Sequence, residues 1–328
     1  MAHQFLITRA IPHQAIDLLS KHGTVTVNPH DRVLHPEEII DMGRSCDGWL
    51  TMLTDIISKP VLEECTNLRG ISNYAVGFNN IDIATCTARG IGAANTPDVL
   101  TEATAELAWA LILACCRRVV EADACVRSGA WRGWAPLEFM GAGVTGKTLG
   151  IVGAGRIGTR VAEMSRGFTM PVVYSGRRRN QTLEASVGAK YLTFHDLLTQ
   201  ADIISLHLPL TDDTRHLIGA QEFARMKPSA ILINTGRGPL IHETALVAAL
   251  RNGQIAAAGL DVFEHEPQIA SGLTELANVV LLPHIGSATV ETRTRMAVMA
   301  SENLLAMVEG RCPAHPLNPQ IYHLPGHS

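Results

Sequence analysis

Short apolar segments alternate with amphipathic segments along the chain, and this alternation restricts the fold more than any other feature. Residues 149–152 form a run suited to a buried strand, whereas residues 12–22 place apolar side chains at helical spacing. Strands that alternate with helices build a parallel sheet whose faces the helices cover. The sequence therefore predicts an α/β fold.

The alternation occurs in two series, and 328 residues exceed what a single core usually takes. The texture changes near residue 100, where a turn precedes a long Ala/Leu-rich helix. Two doubly wound α/β domains are the natural interpretation. We predict strands at 4–8, 24–28, 49–53, 70–73 and 91–94 in the first series, and at 149–152, 172–175, 191–194, 202–207, 230–234, 257–262 and 279–282 in the second.

Composition argues against several classes of protein. The net charge is −4, and no basic face or tail suggests a nucleic-acid partner. The most apolar helical run, 103–116, contains Glu106 and is too short to span a bilayer. The chain does not open like a signal peptide, and its seven cysteines include no C-x-x-C pair. We expect a cytoplasmic protein with no membrane or nucleic-acid partner.

Three glycines, Gly153, Gly155 and Gly158, follow the predicted strand 149–152 in a G-x-G-x-x-G pattern at the start of a helix. The first allows a tight turn, the second lets a pyrophosphate approach backbone N–H groups, and the third lets helix and strand pack closely. The helix N-terminus then faces the negative charge. In this context the motif predicts a dinucleotide site, although glycine-rich turns alone are common.

The end of the next strand indicates which dinucleotide is bound. An acidic residue there would hold the ribose hydroxyls of NAD(H). Here the strand ends in Ser175-Gly176 and continues as Arg177-Arg178-Arg179. No carboxylate repels a 2′-phosphate, and guanidinium groups are available to bind one. We predict NADP(H) as the preferred cofactor and NAD(H) as the second choice. The alternative interpretation of the arginines is a solvated basic loop.

Four further segments match one family. Residues 233–238 (INTGRG), 259–267 (GLDVFEHEP) and 281–288 (LLPHIGSA) place an arginine, acids and a histidine after successive predicted strands. Upstream, residues 73–82 (NYAVGFNNID) form a loop. With the glycine loop, and in this order, the segments resemble the D-isomer-specific 2-hydroxyacid dehydrogenases over about residues 50–320.

The resemblance implies a Rossmann cofactor domain, 101–286, inserted into a flavodoxin-like substrate domain, 1–100 and 287–328. It implies reduction of a small 2-keto acid to its 2-hydroxy acid, with Arg237, Glu266 and His284 as catalytic residues. Arg237 would bind the substrate, His284 would be the acid/base and Glu266 its carboxylate partner. Cofactor contacts are expected from Gly153, Gly155, Arg156, Ile157, Gly158, Ser175, Gly176, Arg177, Arg178, Leu208, Pro209, Thr235, Gly236, Arg237, Asp261, His284 and Gly286. Substrate contacts are expected from Leu53, the N–H groups of Val76 and Gly77, Arg237, His284 and Trp134 of the partner subunit.

The residue types also suit this chemistry. Hydride addition to a keto carbon builds negative charge on oxygen, so a proton donor and a fixed cation must face that oxygen. A carboxylate beside a histidine favours the charged imidazole, and an arginine fork binds a carboxylate in a bidentate way. A structural histidine, a surface arginine and a loop glutamate are the alternatives. Residues 264–266 (EHE) have no second cluster to complete a metal site, so no metal is predicted.

A W-x-x-W-x-P segment, Trp131 to Pro136, is similar to the glyoxylate/hydroxypyruvate reductase branch. In that branch the second tryptophan covers the active site of the partner subunit, which implies a homodimer. Packing at an interface is the alternative role for Trp131 and Trp134. Hydroxyphenylpyruvate, 2-ketogluconate and 3-phosphoglycerate stay open as substrates of other branches. So does a co-repressor of the same fold that binds the dinucleotide as a structural ligand.

Overall fold

The computed structural model describes residues 2–323, and they fall into two units. One unit runs to Leu100 and resumes at Ala288, and the other is Thr101–Ser287. The strands are β1 (His3–Ile7), β2 (Gly23–Val27), β3 (Gly48–Thr51), β4 (Gly70–Asn73), β5 (Gly92–Ala94), β6 (Leu149–Val152), β7 (Val172–Ser175), β8 (Lys190–Tyr191), β9 (Ile203–Leu206), β10 (Ile231–Asn234), β11 (Ala257–Leu260) and β12 (Val279–Leu281). The helices are α1 (His13–Ser20), α2 (Pro36–Gly43), α3 (Lys59–Glu64), α4 (Ile83–Ala88), α5 (Thr101–Arg117), α6 (Val119–Arg127), α7 (Arg156–Met164), α8 (Gln181–Val187), α9 (Phe194–Gln200), α10 (Ala220–Phe223), α11 (Glu243–Arg251) and α12 (Val290–Val308).

The first unit is a five-stranded parallel sheet in the order β2-β1-β3-β4-β5, the flavodoxin-like order. Successive side chains of a strand point to opposite faces. Leu6 therefore packs in a core with residues of α2 and α3, whereas Phe5 and Ile7 pack in a second core with residues of α1 and α12. The two cores show helices on both faces of the sheet, as the alternating pattern predicts.

The second unit is a seven-stranded parallel sheet in the order β12-β11-β10-β9-β6-β7-β8. Counted within the unit, β8-β7-β6-β9-β10-β11 is the 3-2-1-4-5-6 order of a Rossmann fold, with β12 added at the edge. The strand order reverses between β6 and β9, which pair in parallel. In open α/β sheets, ligands bind outside the carboxyl ends of the strands at such a point. The two-domain α/β prediction is confirmed.

Helix α5 packs closely on this second sheet because β11 has a glycine, Gly259, where the helix lies against it. A Cβ placed on Gly259 of β11 would lie 3.1 Å from Leu111 Cβ and 3.1 Å from Cys115 Sγ. A side chain at residue 259 would therefore push the helix away from the strand. Leu111, Ile112 and Cys115 are buried in the core that also contains Ile233 of β10.

One predicted strand is partly wrong. The sequence predicts a strand over 191–194, but β8 ends at Tyr191 and α9 begins at Phe194. The hydroxyl of Thr193 accepts a hydrogen bond from the N–H of Asp196, which is the geometry of a helix N-cap. The helix cap outweighs the apolar run here.

Among residues 2–323, no helix combines the length and apolarity needed to cross a membrane.

Candidate active site

Glu266 and His284 form a hydrogen-bonded pair in the segments that follow β11 and β12. His284 Nδ1 lies 2.8 Å from Glu266 Oε2, and the N–H of Phe263 donates to Glu266 Oε1 at 3.0 Å. Burial would raise the pKa of Glu266, but the hydrogen bond and charge of His284 outweigh it and hold that pKa below its usual value. The carboxylate is therefore ionised at neutral pH. Because Nδ1 faces Glu266, the other ring nitrogen, Nε2, is left for a ligand.

The backbone of His284 is held by the strand next to its own. Its N–H donates to the carbonyl of Asp261 at 2.9 Å, and its φ of 55° lies in the left-handed region. A left-handed non-glycine residue is uncommon and persists only where surrounding contacts fix it. The N–H of Ile285 supplies another contact, donating to Asp261 Oδ1 at 2.7 Å. Asp261 thus orients the turn that carries the histidine.

Arg237 lies in the turn after β10, partly buried. Its Nη1 donates to the carbonyl of Gly236 at 2.7 Å. Burial lowers the pKa of Arg237, and the negative charge of Glu266 opposes that shift. Arginine remains protonated in proteins even so, because its ordinary value lies far above neutrality. The turn therefore presents a permanent cation on the same side of the sheet as the Glu266–His284 pair.

Glu264, considered in the sequence analysis only as a metal ligand, and Glu243, absent from it, anchor the segment carrying Glu266. The N–H of Glu264 donates to Glu243 Oε1 at 2.7 Å, and the N–H of Glu243 donates to Glu264 Oε2 at 3.1 Å. The second oxygen of Glu264 lies 2.5 Å from His216 Nε2. The residues are 21 and 48 positions apart in sequence, so no local spacing marks the contacts.

The glycine loop between β6 and α7 has the geometry that its motif predicts. Gly153 has a φ of 97°, and a Cβ there would lie 2.6 Å from the carbonyl oxygen of His207. A Cβ on Gly158 would lie 2.2 Å from the Gly153 oxygen, so the helix packs directly on the turn. A Cβ on Gly155 would meet nothing within 4 Å, which leaves open space in front of the helix N-terminus.

Asn180, another residue absent from the sequence-based set, links the glycine loop to the start of α8. Its Nδ2 donates to the carbonyl of Ala154 at 2.9 Å and to the Thr159 hydroxyl at 3.0 Å. Its Oδ1 accepts from the N–H of Leu183 and caps α8. Beside the loop lies a surface cavity of about 530 Å³, lined by Thr101, Ala154, Gly155, Arg156, Thr159, Arg160, Glu163, Asn180 and Thr182.

The arginines after β7 differ from one another. Arg179 makes two hydrogen bonds to Glu184 of the following helix α8, at 2.9 and 2.8 Å. The expected cofactor contacts from this run are Arg177 and Arg178, and Arg179 is not among them. Arg177 and Arg178 are exposed and make no ion pair with any residue in 2–323. Gly176 is held through its carbonyl by the Tyr191 hydroxyl at 2.8 Å, so the position of the strand end is fixed.

The structure also leaves two buried oxygens without a protein partner on this sheet edge. Within the described residues, Asp261 Oδ2 and Thr235 Oγ1 have no hydrogen bond. A buried polar atom without a partner costs about 1–3 kcal/mol, so such atoms are usually satisfied by a ligand or water. A Cβ on Gly286 would lie 3.3 Å from Asp261 Oδ2, so a side chain there would crowd that oxygen. These atoms fit a dinucleotide whose nicotinamide amide and ribose need acceptors and donors.

Five more of the predicted contact residues lie in loops of the two units. In the first unit, Leu53 is 37% exposed, and the N–H groups of Val76 and Gly77 have no acceptor among residues 2–323. In the second unit, Leu208 packs against the glycine turn, with Cδ2 2.8 Å from a Cβ built on Gly153. Trp134 is 85% exposed.

Comparison with known proteins decides the family. Residues 109–286 match the model of the D-isomer specific 2-hydroxyacid dehydrogenase, NAD binding domain. A glyoxylate reductase of Aeropyrum pernix is 50% identical over 322 residues, which cover 96% of this chain and 96% of that protein. The chain belongs to the D-isomer-specific 2-hydroxyacid dehydrogenases. The resemblance inferred from the sequence motifs is confirmed, and the protein is a 2-hydroxyacid dehydrogenase with a domain for a nicotinamide dinucleotide.

Two further relatives of this dehydrogenase agree over nearly the full length. A glyoxylate reductase of Thermococcus litoralis is 47% identical and covers 98% of each chain. The crystal structure of an NADPH-dependent glyoxylate/hydroxypyruvate reductase from Sinorhizobium meliloti, in complex with NADP and malonate, superposes with a TM-score of 0.85. It is 31% identical and covers 97% of this chain and 98% of that one. The family, rather than the individual residue roles, is what these similarities establish.

Proposed function

We propose that this dehydrogenase reduces glyoxylate, and small 2-keto acids like hydroxypyruvate, to the 2-hydroxy acid with NADPH. The observation that carries the proposal is the Glu266–His284 pair, 2.8 Å apart, at the same sheet edge as the Arg237 turn and the unpartnered oxygen of Asp261. A proton donor, a cation and a cofactor acceptor are the groups that a keto-acid reductase needs. The names of the 50% and 47% identical relatives support glyoxylate as the substrate.

NADPH, when bound, supplies the hydride. His284 holds a proton at Nε2 and delivers it to the carbonyl oxygen as negative charge develops there. Glu266 accepts from Nδ1, fixes the imidazole tautomer and stabilises the charged ring. Arg237 binds the keto acid through its guanidinium, and its positive charge lowers the energy of the developing alkoxide. The N–H groups of Val76 and Gly77 bind the carboxylate end of the substrate, and Leu53 contacts it.

The residues that would hold the cofactor run along the carboxyl ends of β6, β7, β9, β10 and β11. The N-terminus of α7 faces the pyrophosphate, because Gly155 leaves room in front of it. Arg177 and Arg178 bind the 2′-phosphate, and no acidic side chain at Gly176 repels it. Asp261 accepts from the nicotinamide amide. The remaining contacts are Gly153, Arg156, Ile157, Gly158, Ser175, Leu208, Pro209, Thr235, Gly236 and Gly286.

We also propose a homodimer in which Trp134 of the partner subunit covers the active site. Helix α6 buries none of its residues within its own chain. The segment that follows α6 exposes large apolar side chains as well. Together they form the α6–140 surface, with Val119, Val120, Val126, Trp131, Trp134, Leu137 and Met140 between 51% and 85% exposed. Several large apolar side chains exposed along one stretch of chain support a protein interface there.

The test of the proposed function is NADPH oxidation, followed by absorbance, with glyoxylate, hydroxypyruvate, hydroxyphenylpyruvate and 2-ketogluconate as substrates. Wild type should show its highest kcat/KM with glyoxylate or hydroxypyruvate, and a higher kcat/KM with NADPH than with NADH. His284→Ala should lower kcat about 10²- to 10⁴-fold, the usual effect of losing a general acid, with little change in NADPH affinity. Best turnover of a bulky keto acid, or a near-normal kcat in the variant, would contradict the proposal.

A further inference from the structure

The loop after β4 is shaped by side-chain amides from the rest of its unit. Asn73 Nδ2 donates to the carbonyl of Gly77 at 2.8 Å, and Asn73 Oδ1 accepts from the Thr51 hydroxyl at 3.1 Å. Asn95, just beyond β5, donates from Nδ2 to the carbonyl of Val76 at 2.7 Å. The loop carbonyls therefore face the protein, where buried amides hold them.

Fixing a carbonyl also fixes the neighbouring N–H. In a trans peptide the C=O and N–H groups point in opposite directions. The bond from Asn95 to the Val76 carbonyl thus sets the direction of the Gly77 N–H. The Thr96 N–H donates to the Ala75 carbonyl at 2.9 Å and sets the direction of the Val76 N–H in the same way. Both N–H groups lack an acceptor among residues 2–323 and form a pair of free donors.

Asn95 is itself immobilised. Its side chain and backbone are buried, with 9% of the residue exposed. Its carbonyl accepts from Asn303 Nδ2 of α12 at 3.1 Å, and its N–H donates to the carbonyl of His315 at 3.3 Å. Because Asn95 is held in place, the N–H groups of Val76 and Gly77 stay preorganised, which lowers the entropy lost when an anion binds.

We propose that Asn95 is a positioning residue for recognition of the substrate carboxylate. It acts through the Val76–Gly77 peptide, aiming the Gly77 N–H at one carboxylate oxygen while Thr96 aims the Val76 N–H at the same group. This inference rests on the proposed function, because that function places the carboxylate on these two N–H groups. Asn95 contributes substrate affinity and takes no part in proton transfer.

The test compares Asn95→Ala with Asn318→Ala. Asn318 is a fully buried amide at the other end of β5, where its Nδ2 donates to the Ile91 carbonyl at 2.8 Å. Asn95→Ala should raise KM for glyoxylate about tenfold, since an aligned hydrogen bond to a charged group is lost, and change kcat by less than threefold. The inhibition constant of oxalate, an unreactive dicarboxylate, should rise by the same factor. Asn318→Ala should lower the melting temperature and leave both constants unchanged.

Unchanged glyoxylate KM and oxalate inhibition in folded Asn95→Ala, with wild-type turnover present, would overturn the role of Asn95 alone. Absence of keto-acid turnover in wild type would instead overturn the proposed function. An equal rise of the constants in both variants would show a general loss of structure and would also overturn the inference. Should Asn95→Ala not fold, Asn95→Ser carries the same test, because serine keeps a polar group but is too short to reach the Val76 carbonyl.

Discussion

The carboxylate of Glu266 is held in place beside the ring of His284. Glu266 accepts from His284 Nδ1 at 2.8 Å and from the N–H of Phe263, so the carboxylate cannot rotate away from the ring. Its pKa is held below the usual value despite burial. As pH falls, the group therefore stays ionised to a lower pH than an ordinary glutamate would. Across neutral and alkaline pH it is a constant negative charge next to the imidazole.

Removing that charge should move the pH profile of keto-acid reduction. In Glu266→Gln a neutral amide replaces the negative charge beside the imidazole, so the alkaline limb of the kcat/KM profile should move to lower pH. The measurement is kcat/KM for glyoxylate from pH 5 to pH 10. Glu275→Gln is the matched control, since Glu275 is an exposed carboxylate paired with Arg251. Superimposable profiles for Glu266→Gln and wild type would remove Glu266 from the mechanism.

Arg237, Glu266 and His284 could be picked out from the sequence, because each follows a predicted strand of a parallel sheet and so reaches the same edge. The residues that hold these three side chains and the loop after β4 in place could not be picked out in this way. Asn95, Glu243 and His216 act through partners 19, 21 and 48 positions away. Short polar side chains in loops have many available partners, and only the folded backbone selects one. The Arg179–Glu184 pair was missed for a different reason, since a run of three arginines does not show which one is already paired.

At the scale of elements, the turn after β10 and the segment after β11 touch through a glycine. A Cβ on Gly238 would lie 1.8 Å from the carbonyl oxygen of Phe263 and 2.5 Å from the nitrogen of Glu264. Neither backbone atom can move without moving its own turn. One turn carries Arg237 and the other carries Glu266, so the glycine sets the distance between the two functional groups.

Gly238→Ala should therefore separate Arg237 from Glu266 and His284. We expect kcat/KM for glyoxylate to fall at least tenfold, because small misplacements of catalytic groups have large effects, and the free energy of unfolding to fall by about 1–3 kcal/mol. Gly143→Ala is the control, because a Cβ there meets nothing within 4 Å. Wild-type kinetics in Gly238→Ala would show that the contact between the two turns does not set the positions of Arg237 and Glu266.

The carboxyl end of β7 should decide the choice between the two nicotinamide cofactors. A Cβ on Gly176 would come no closer than 3.8 Å to another atom, so an aspartate fits there without displacing the strand. Gly176→Asp combined with Arg177→Ala should reverse the preference from NADPH to NADH. Loss of a charge-assisted bond to the 2′-phosphate should weaken NADPH about tenfold to a hundredfold. The measurement is kcat/KM for each cofactor at two salt concentrations.

Arg179→Ala is the control for this swap, since Arg179 is bound to Glu184 and has the same charge as Arg177. It should leave the ratio of the two kcat/KM values within about threefold of wild type, whereas a change as large as that of the double variant would mean that charge alone, without contact, selects the cofactor. A wild-type preference for NADH would show that the arginines form only a solvated loop.

Strand positions and sheet type were predictable because both depend on patterns within a few residues. Eleven of the predicted strands overlap a single observed strand without reaching into a helix, and the twelfth, 191–194, overlaps β8 but runs on into α9. The apolar residues of 191–194 suggest a strand, but Thr193 caps a helix that begins at Phe194. The order of strands in each sheet follows from connections longer than any local pattern, and it became predictable only through the glycine motif and the family resemblance.

At the scale of the whole molecule, the α6–140 surface is what a single chain leaves uncovered. Three of its residues are valines of α6, and the segment after the helix exposes Trp131, Trp134, Leu137 and Met140. Burying apolar side chains of this size contributes roughly 1.5–3 kcal/mol each. A second copy of the chain is the occupant that the proposed dimer places there, and mass measured by light scattering should give two subunits.

Mixed dimers test whether Trp134 works across the interface. We expect Trp134→Ala homodimers to bind glyoxylate more weakly and His284→Ala homodimers to be nearly inactive. A dimer with one subunit of each kind, purified through two different affinity tags, contains one site that combines an intact His284 with an intact Trp134 from the other chain. That site should have wild-type KM, and the mixed dimer should reach about half of the wild-type kcat, since its other site lacks both groups. If Trp134 acts within its own chain, the site with the intact His284 keeps the raised KM of the Trp134→Ala homodimer, and no wild-type site appears. A wild-type KM in the Trp134→Ala homodimer itself would show that Trp134 only packs at the interface.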